Sequence, residues 1–353
     1  MNDILGVEMF KKMRYNLFVN IKFVRKGNTK MKKILLLLMG AFLLTGCGSD
    51  REKVVIYSSM EEERNQALKE QLEEKFELYD VVVQAVATGN SAAKIKNEGS
   101  NIEADIVLDL ETAHMANLED NFALLSDFDS SMFLDGINNS ENYFTWVKYT
   151  MNLIIDNKYF KEHNLSIPET YEDLLKKEYK GLIAMPDPKT SGTGYGFFLN
   201  AVNIMGEDKA IEYFNKLKNN MREFTTSGSG PTNLLKQGEI AIAMGMTNQG
   251  VEAINAGYDY KIVELKTGSP YNTTSFGIIK GHEDKAGVKE VFEWILTDFS
   301  RYDKEHFMPD QVLKNQKISV KNYPLDLTYA DMMGIDDMKV KEHLTKMWGK
   351  VNG

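Results

Sequence analysis

One cysteine, seven prolines and five histidines in 353 residues leave several kinds of chemistry without material. The lone thiol, Cys47, excludes internal disulfides and thiolate metal clusters. His114, His163, His282, His306 and His343 are scattered, and none stands at a metal-ligand spacing from another His, Cys or Glu. No Gly-x-Ser-x-Gly elbow offers an activated serine. No apolar run approaches the ~20 residues that span a bilayer as a helix. Basic charge is also short. Residues 1–46 hold nine of the 42 Lys/Arg and two of the 51 Asp/Glu, which leaves 33 basic against 49 acidic side chains, net −16. Such a chain is a poor partner for nucleic acid or an anionic membrane surface. A small anionic ligand is not excluded, because local amide donors outweigh distant net charge. What remains is ordinary globular composition, 43% hydrophobic and 26% charged, enough for two lobes with cores of their own.

The first forty-seven residues read as an address. Met31-Lys32-Lys33 is a basic n-region, Ile34 to Leu44 an apolar h-region, and Leu44-Thr45-Gly46-Cys47 looks like a bacterial lipobox. That likeness implies a signal peptide over 31–46 and an acylated, palmitate-bearing Cys47 as first mature residue, with 47–52 as tether. It also implies Met31 as the start, with 1–30 a mis-called upstream extension.

From Lys53 the patterning alternates. Val54–Tyr57 predicts a buried strand ending at Ser58-Ser59, and Glu61–Phe76 an amphipathic helix. A strand over 81–87 leads through Thr88-Gly89-Asn90-Ser91 into a helix, and a strand over 104–109 ends at Asp109 before a helix from Glu111. Continuously apolar strands alternating with helices indicate an α/β fold with a parallel sheet, whose ligands bind beyond the strand C-termini. The run 144–156 is long enough to cross from one lobe to the next. Thr170 and Asp173 have capping-box spacing ahead of a helix. Strands are expected over 181–185, 240–244, 260–264 and 274–279, and helices from Tyr195, over 208–219 and 232–237, from Glu283, and irregularly through the tail.

The stretch Met185-Pro186-Asp187-Pro188-Lys189-Thr190-Ser191-Gly192-Thr193-Gly194-Tyr195 carries the most chemistry. A strand is stopped by prolines, a hydroxyl- and glycine-rich turn follows, and a helix begins. Unpaired N–H groups and the positive end of the helix dipole converge there, an arrangement suited to anions. Ser227 and Ser229 form a second such turn. Ser58, Ser59, Gly89, Asn90 and Ser91 would supply the opposite wall. Asp109 either binds an amine or sugar hydroxyls or caps the following helix; Asn248 either donates to the ligand or sits in the hinge. Tyr57 and Tyr271 either stack on a ligand ring or belong to the core.

The order of these elements, together with Lys180–Gly194, Val54–Ser59, Gly89–Ala92, Ala104–Val107 and Gln237–Ile242, resembles the ABC-transporter solute-binding proteins of the ferric-iron, 2-aminoethylphosphonate and phosphosugar group. The resemblance implies a two-lobed type II periplasmic-binding-protein fold, each lobe a sheet flanked by helices, joined by two crossing hinge strands. Lobe I would be 53–145 with 268–315, lobe II 146–267, and 316–353 a C-terminal helical segment. Ser191, Gly192 and Thr193 fall where iron-binding members hold a phosphate beside the metal. Those members carry two adjacent tyrosines where this chain has Gly245-Met246-Thr247-Asn248-Gln249-Gly250, and Tyr258 and Tyr260 do not replace them. Ferric ion favours hard anionic oxygen ligands. The expectation is therefore a monomeric, lipid-anchored extracytoplasmic receptor, without cofactor or catalytic residues. It captures a small phosphorylated or phosphonate solute and delivers it to an ABC permease and its ATPase. Ferric iron, a polyamine or thiamine-like cation, and an extracellular hydrolase on a similar frame are the alternatives.

Overall fold

Val54 to Ser58 are buried at every position, which a strand allows only when both faces of its sheet are covered. In the computed structural model, which describes residues 51–137 and 140–352, that strand sits inside a sheet. Cys47, the signal segment and the upstream extension lie outside the described residues. The strands are β1 (Glu52–Ser58), β2 (Tyr79–Ala85), β3 (Ile106–Glu111), β4 (Phe144–Asp156), β5 (Ile183–Pro186), β6 (Met221–Thr225), β7 (Ile242–Met246), β8 (Tyr260–Val263) and β9 (Tyr271–Ile278). Their order is β2-β1-β3-β9-β4-β7-β5-β6, with β8 also on β4.

β1 pairs in parallel with β2 and β3, as the strand–helix alternation requires. Val54 and Ile56 share a core with Leu68 and Leu72 of the helix Glu62–Lys75. Val55 and Tyr57 pack on the other face with Ala92 and Ile95 of the helix Thr88–Glu98. The sheet is mixed rather than parallel throughout, because β9 returns antiparallel between β3 and β4. β4 serves two neighbourhoods: Phe144–Thr150 pairs with β9, and Met151–Ile155 pairs with β7. Its second half lies in a separate core with Phe197, Phe198, Phe214 and Trp348.

Several expected elements take a different form. Thr88–Ser91 is the first turn of its helix, not a turn before it. The Thr170–Asp173 cap forms reciprocally, Asp173 N–H to Thr170 Oγ1 at 3.1 Å and Thr170 N–H to Asp173 Oδ2 at 3.1 Å, but it opens only the short 3-10 turn Glu172–Leu175. β6 was not expected from the sequence, because Arg222 and Glu223 interrupt its apolar pattern on an exposed edge. The tail is helical only over Met338–Asn352. Among the described residues, no helix is long and apolar enough to cross a membrane.

Candidate functional site

The turn after β5 is built from its own backbone. Asp187 N–H joins Thr225 O of β6 at 2.8 Å, and the N–H groups of Thr190 and Ser191 both close on Asp187 O at 3.0 Å. Ser191, extended at φ −136°, is the N-cap of the helix Gly192–Met205. Gly192, Thr193 and Gly194 thus form the helix's first turn, where N–H groups lack intrahelical acceptors. The Ser191 hydroxyl accepts from Gly194 N–H at only 3.5 Å.

Each glycine there has its own steric reason. A Cβ on Gly194 would lie 2.2 Å from Pro186 O, so the helix start can press on the strand end only without a side chain. One on Gly192 would lie 3.0 Å from Tyr149 Oη and 3.2 Å from Asn272 Nδ2. One on Gly228 would meet Thr193 Oγ1 at 3.2 Å and Ser191 Oγ at 3.3 Å. The Ser191 and Thr193 hydroxyls therefore face the second hydroxyl-rich turn, where Ser227 and Ser229 hydroxyls stand 3.4 Å apart. Gly194→Ala is expected to cost about 1–3 kcal/mol because the opposing atoms are backbone. Urea denaturation checks this, and a loss below ~0.5 kcal/mol contradicts the close approach.

The opposite wall is less free than the sequence suggests. Ser58 Oγ accepts from Met60 N–H at 3.3 Å, and Ser59 Oγ donates to Val86 O at 3.0 Å. Gly89 and Asn90 are exposed, and Ser91 is buried with an unpartnered hydroxyl. No hydrogen bond or close approach among the described residues joins these three to the Ser191 turn. Asp109 neither caps a helix nor faces open space. It sits in β3 at φ +62°, where the register slips, with one oxygen taken by Thr274 Oγ1 and the other by Arg64 Nη1 at 3.1 Å. Burial outweighs the Arg64 attraction and pushes its carboxyl up to about 6. Tyr57 is core, its hydroxyl accepting from Lys94 at 2.8 Å.

Glu111, one of the two acids that keep a cationic ligand open in the sequence, lies beside the turn, its carboxyl carbon 3.7 Å from where a Cβ on Gly192 would stand. Glu111 accepts from Asn272 Nδ2 at 3.0 Å and from Lys341 Nζ of the C-terminal helix. Burial opposes its charge, but Lys341 and Asn272 overcome this and hold its carboxyl below the usual range. Tyr149 is pushed well up by burial and then by Glu111, Asp109 and Glu61. Asn248 lies in the first turn of the helix Thr247–Asn255, with Oδ1 sealed from solvent and unpartnered. It lines a cavity of ≈ 730 Å³ with Glu61, Glu62, Glu63, Gln249 and Glu252. Burial, then Glu252 and Glu61, raise the Glu63 carboxyl. The Glu61–Glu63 run reads locally as the acidic first turn of a helix, which hides its place on this wall. Tyr258 and Tyr260 stack on each other at 5.1 Å, and Tyr260 donates to Leu235 O. Among the described residues, no group of three or more His, Cys, Asp or Glu could hold a metal ion.

Residues 77–298 match the family model described as bacterial extracellular solute-binding protein. An uncharacterized protein of Haemophilus influenzae is 26% identical over 131 residues, 37% of this chain and 38% of that protein's own length. The fold is similar to that of the periplasmic binding protein AfuA from Actinobacillus pleuropneumoniae, solved with fructose-6-phosphate, at TM-score 0.72 and 19% identity over 86% of this chain and 99% of that one. It is also similar to a ferric binding protein from Campylobacter jejuni, at TM-score 0.67 and 16% identity over 84% and 99% of the two chains. These likenesses show the α/β fold as the two-lobed periplasmic-binding-protein type expected. Since the family match extends over more than half of its length, the chain belongs to the bacterial extracellular solute-binding proteins.

Proposed function

We propose that the protein is the receptor of an ABC importer, lipid-anchored through Cys47, and that it delivers a small phosphorylated or phosphonate solute to a permease and its ATPase. The observation that carries the ligand class is the convergence of the Ser191 and Thr193 hydroxyls, the open N–H groups at Gly192 and Thr193, and the Ser227–Ser229 turn. Such donors hold a dianion through charge-assisted hydrogen bonds once closure excludes water. The lobes are 53–145 with 268–315 and 146–267, hinged where β4 and β9 run between them. Ser58, Ser59, Gly89, Asn90 and Ser91 would approach the solute only as the lobes close, Asn248 would donate to it from the lobe that carries Ser191, and Asp109 acts by shaping the strand end. Binding followed by delivery, rather than turnover, is the role.

A second reading has its own support. Glu61, Glu62, Glu63 and Glu252 beside Asn248 and Gln249 suit a solute that also carries an amine or other cation. A thermal-shift panel of phosphosugars, phosphonates, inorganic phosphate, ferric citrate and polyamines separates the readings. A ligand at 100 times its Kd stabilises by about 2.7 kcal/mol. Phosphorus compounds are expected to shift the melt, amine-bearing ones most, and Ser191→Ala with Thr193→Ala to abolish the shift. A shift by ferric citrate or polyamines alone overturns the ligand class, and turnover of a phosphorylated compound overturns the receptor role.

A further inference from the structure

Across the β4–β9 ladder, Tyr149 stands opposite Asn272 and Lys148 opposite Thr273. Opposed residues share a face and successive residues alternate, so Lys148 and Thr273 look away from the side where Tyr149 and Asn272 meet Gly192. On that far face lies a separate pocket of ≈ 220 Å³, walled by β4, β9 and the chain before the C-terminal helix. It shares Tyr271 and Asp336 with a wider groove of ≈ 920 Å³, which gives it access.

Two opposite charges line this pocket, and among the described residues neither makes a close ion pair. The Lys148 ammonium stands 3.7 Å from the Tyr329 ring centroid and 5.9 Å from that of Tyr271, and among the described residues it makes no ion pair. Burial draws its pKa down against the weaker opposing pull of the Asp310 carboxylate. Among the described residues Asp336 accepts only from Thr273 Oγ1 at 3.2 Å, and burial raises its carboxyl. Tyr143 is 6% exposed, and its hydroxyl has no hydrogen-bond partner among the described residues. Burial, then Glu119 and Asp336, push that phenol up to about 12, so Tyr143 lines the pocket as an intact O–H donor. A half-buried charge without a close counter-ion is costly.

We propose that this pocket binds a small zwitterion of amino-acid size, its carboxylate on Lys148 and Tyr143 and its ammonium on Asp336. The site is independent of the solute in the Ser191 region. Isothermal titration of the purified protein with the proteinogenic α-amino acids tests it. At least one is expected to bind at a single saturable site, and its methyl ester and its des-amino acid to bind roughly tenfold to a hundredfold more weakly, the worth of one hydrogen bond to a charged group. Lys148→Met and Asp336→Asn should each lose as much, and Tyr143→Phe less. Lys148→Arg, which keeps the charge, should retain measurable binding and serves as the folding control. Ser191→Ala with Thr193→Ala should leave amino-acid binding intact. Absence of amino-acid binding overturns the proposal. So does binding that survives Lys148→Met and Asp336→Asn, that the Ser191/Thr193 pair removes, or that the des-amino acid reproduces at equal strength.

Discussion

Replacing Arg64 with methionine is expected to cost about 3–5 kcal/mol, the range for removing one partner of a buried ion pair. Arg64 is 2% exposed and its guanidinium is fully engaged: Nε and Nη2 grip both oxygens of Asp303 at 2.7 and 2.8 Å, and Nη1 reaches Glu61 at 2.9 Å and Asp109 at 3.1 Å. Without it, Asp303, which is 0% exposed, keeps a carboxylate with no such partner. Against a typical total stability of about 5–15 kcal/mol this is a large fraction, and the melting point should fall by on the order of 10 °C. The loss should depend on pH. Asp109 already sits at about 6 because burial outweighs Arg64, and deleting Arg64 removes the attraction that lowers it. A carboxyl raised in the folded state binds protons there that the unfolded chain, with a pKa of about 3.9, does not. The Asp109 share of the deficit should therefore open only above pH ~6, where the wild-type carboxyl ionises and the variant's does not, and should be nearly absent at pH 5. Adding Asp303→Asn should restore part of the stability by removing the stranded charge. Urea denaturation at pH 5 and pH 7.5 checks both points, and a loss under ~1 kcal/mol at pH 7.5 would sink the account.

Trp348→Ala should be about as damaging, roughly 3–5 kcal/mol for a fully buried aromatic cut to a methyl. Trp348 is 0% exposed and meets Phe198, Phe214 and Phe224 edge-on at 5.0, 5.1 and 5.2 Å. These rings come from two helices and the edge strand β6, so the indole fastens the helix Met338–Asn352 to the second core. Among the described residues its Nε1 has no hydrogen-bond partner. Trp348→Phe should therefore cost under ~1.5 kcal/mol, since it keeps most of the ring and removes an orphaned donor. The same helix carries Lys341 to Glu111, so the alanine variant should also weaken solute binding beside the Ser191 turn. Chemical denaturation followed by circular dichroism, with solute titration, measures both. Equal losses for alanine and phenylalanine would mean that indole packing is not what holds the helix.

The elements most legible beforehand are those whose signal is local. β4 matches its expected span of 144–156 because a thirteen-residue β-branched and aromatic run has few other uses. The start of the Ser191 helix is marked by proline, hydroxyl and glycine in order, although the helix begins at Gly192 rather than Tyr195. The tail misled because its apolar residues meet partners far away in sequence, so residues 307–337 needed no helical period to be buried. β6 misled because an edge strand keeps only one face covered.

For the candidate site, sequence alone located the turns that present open N–H groups and hydroxyls, since chain stops and helix starts are written in adjacent residues. Only the tertiary structure decided which polar groups are already spent. Asp109 stands at a strand end in the sequence and in an ion network in the fold, because Arg64 and Asp303 meet across 239 residues. Glu111 and Lys341 meet across 230 residues, and Lys148 and Asp336 line one pocket from positions far apart in the chain. Backbone periodicity is fixed within a few bonds. The partner of a charge is fixed by which surfaces pack, and that depends on every element at once.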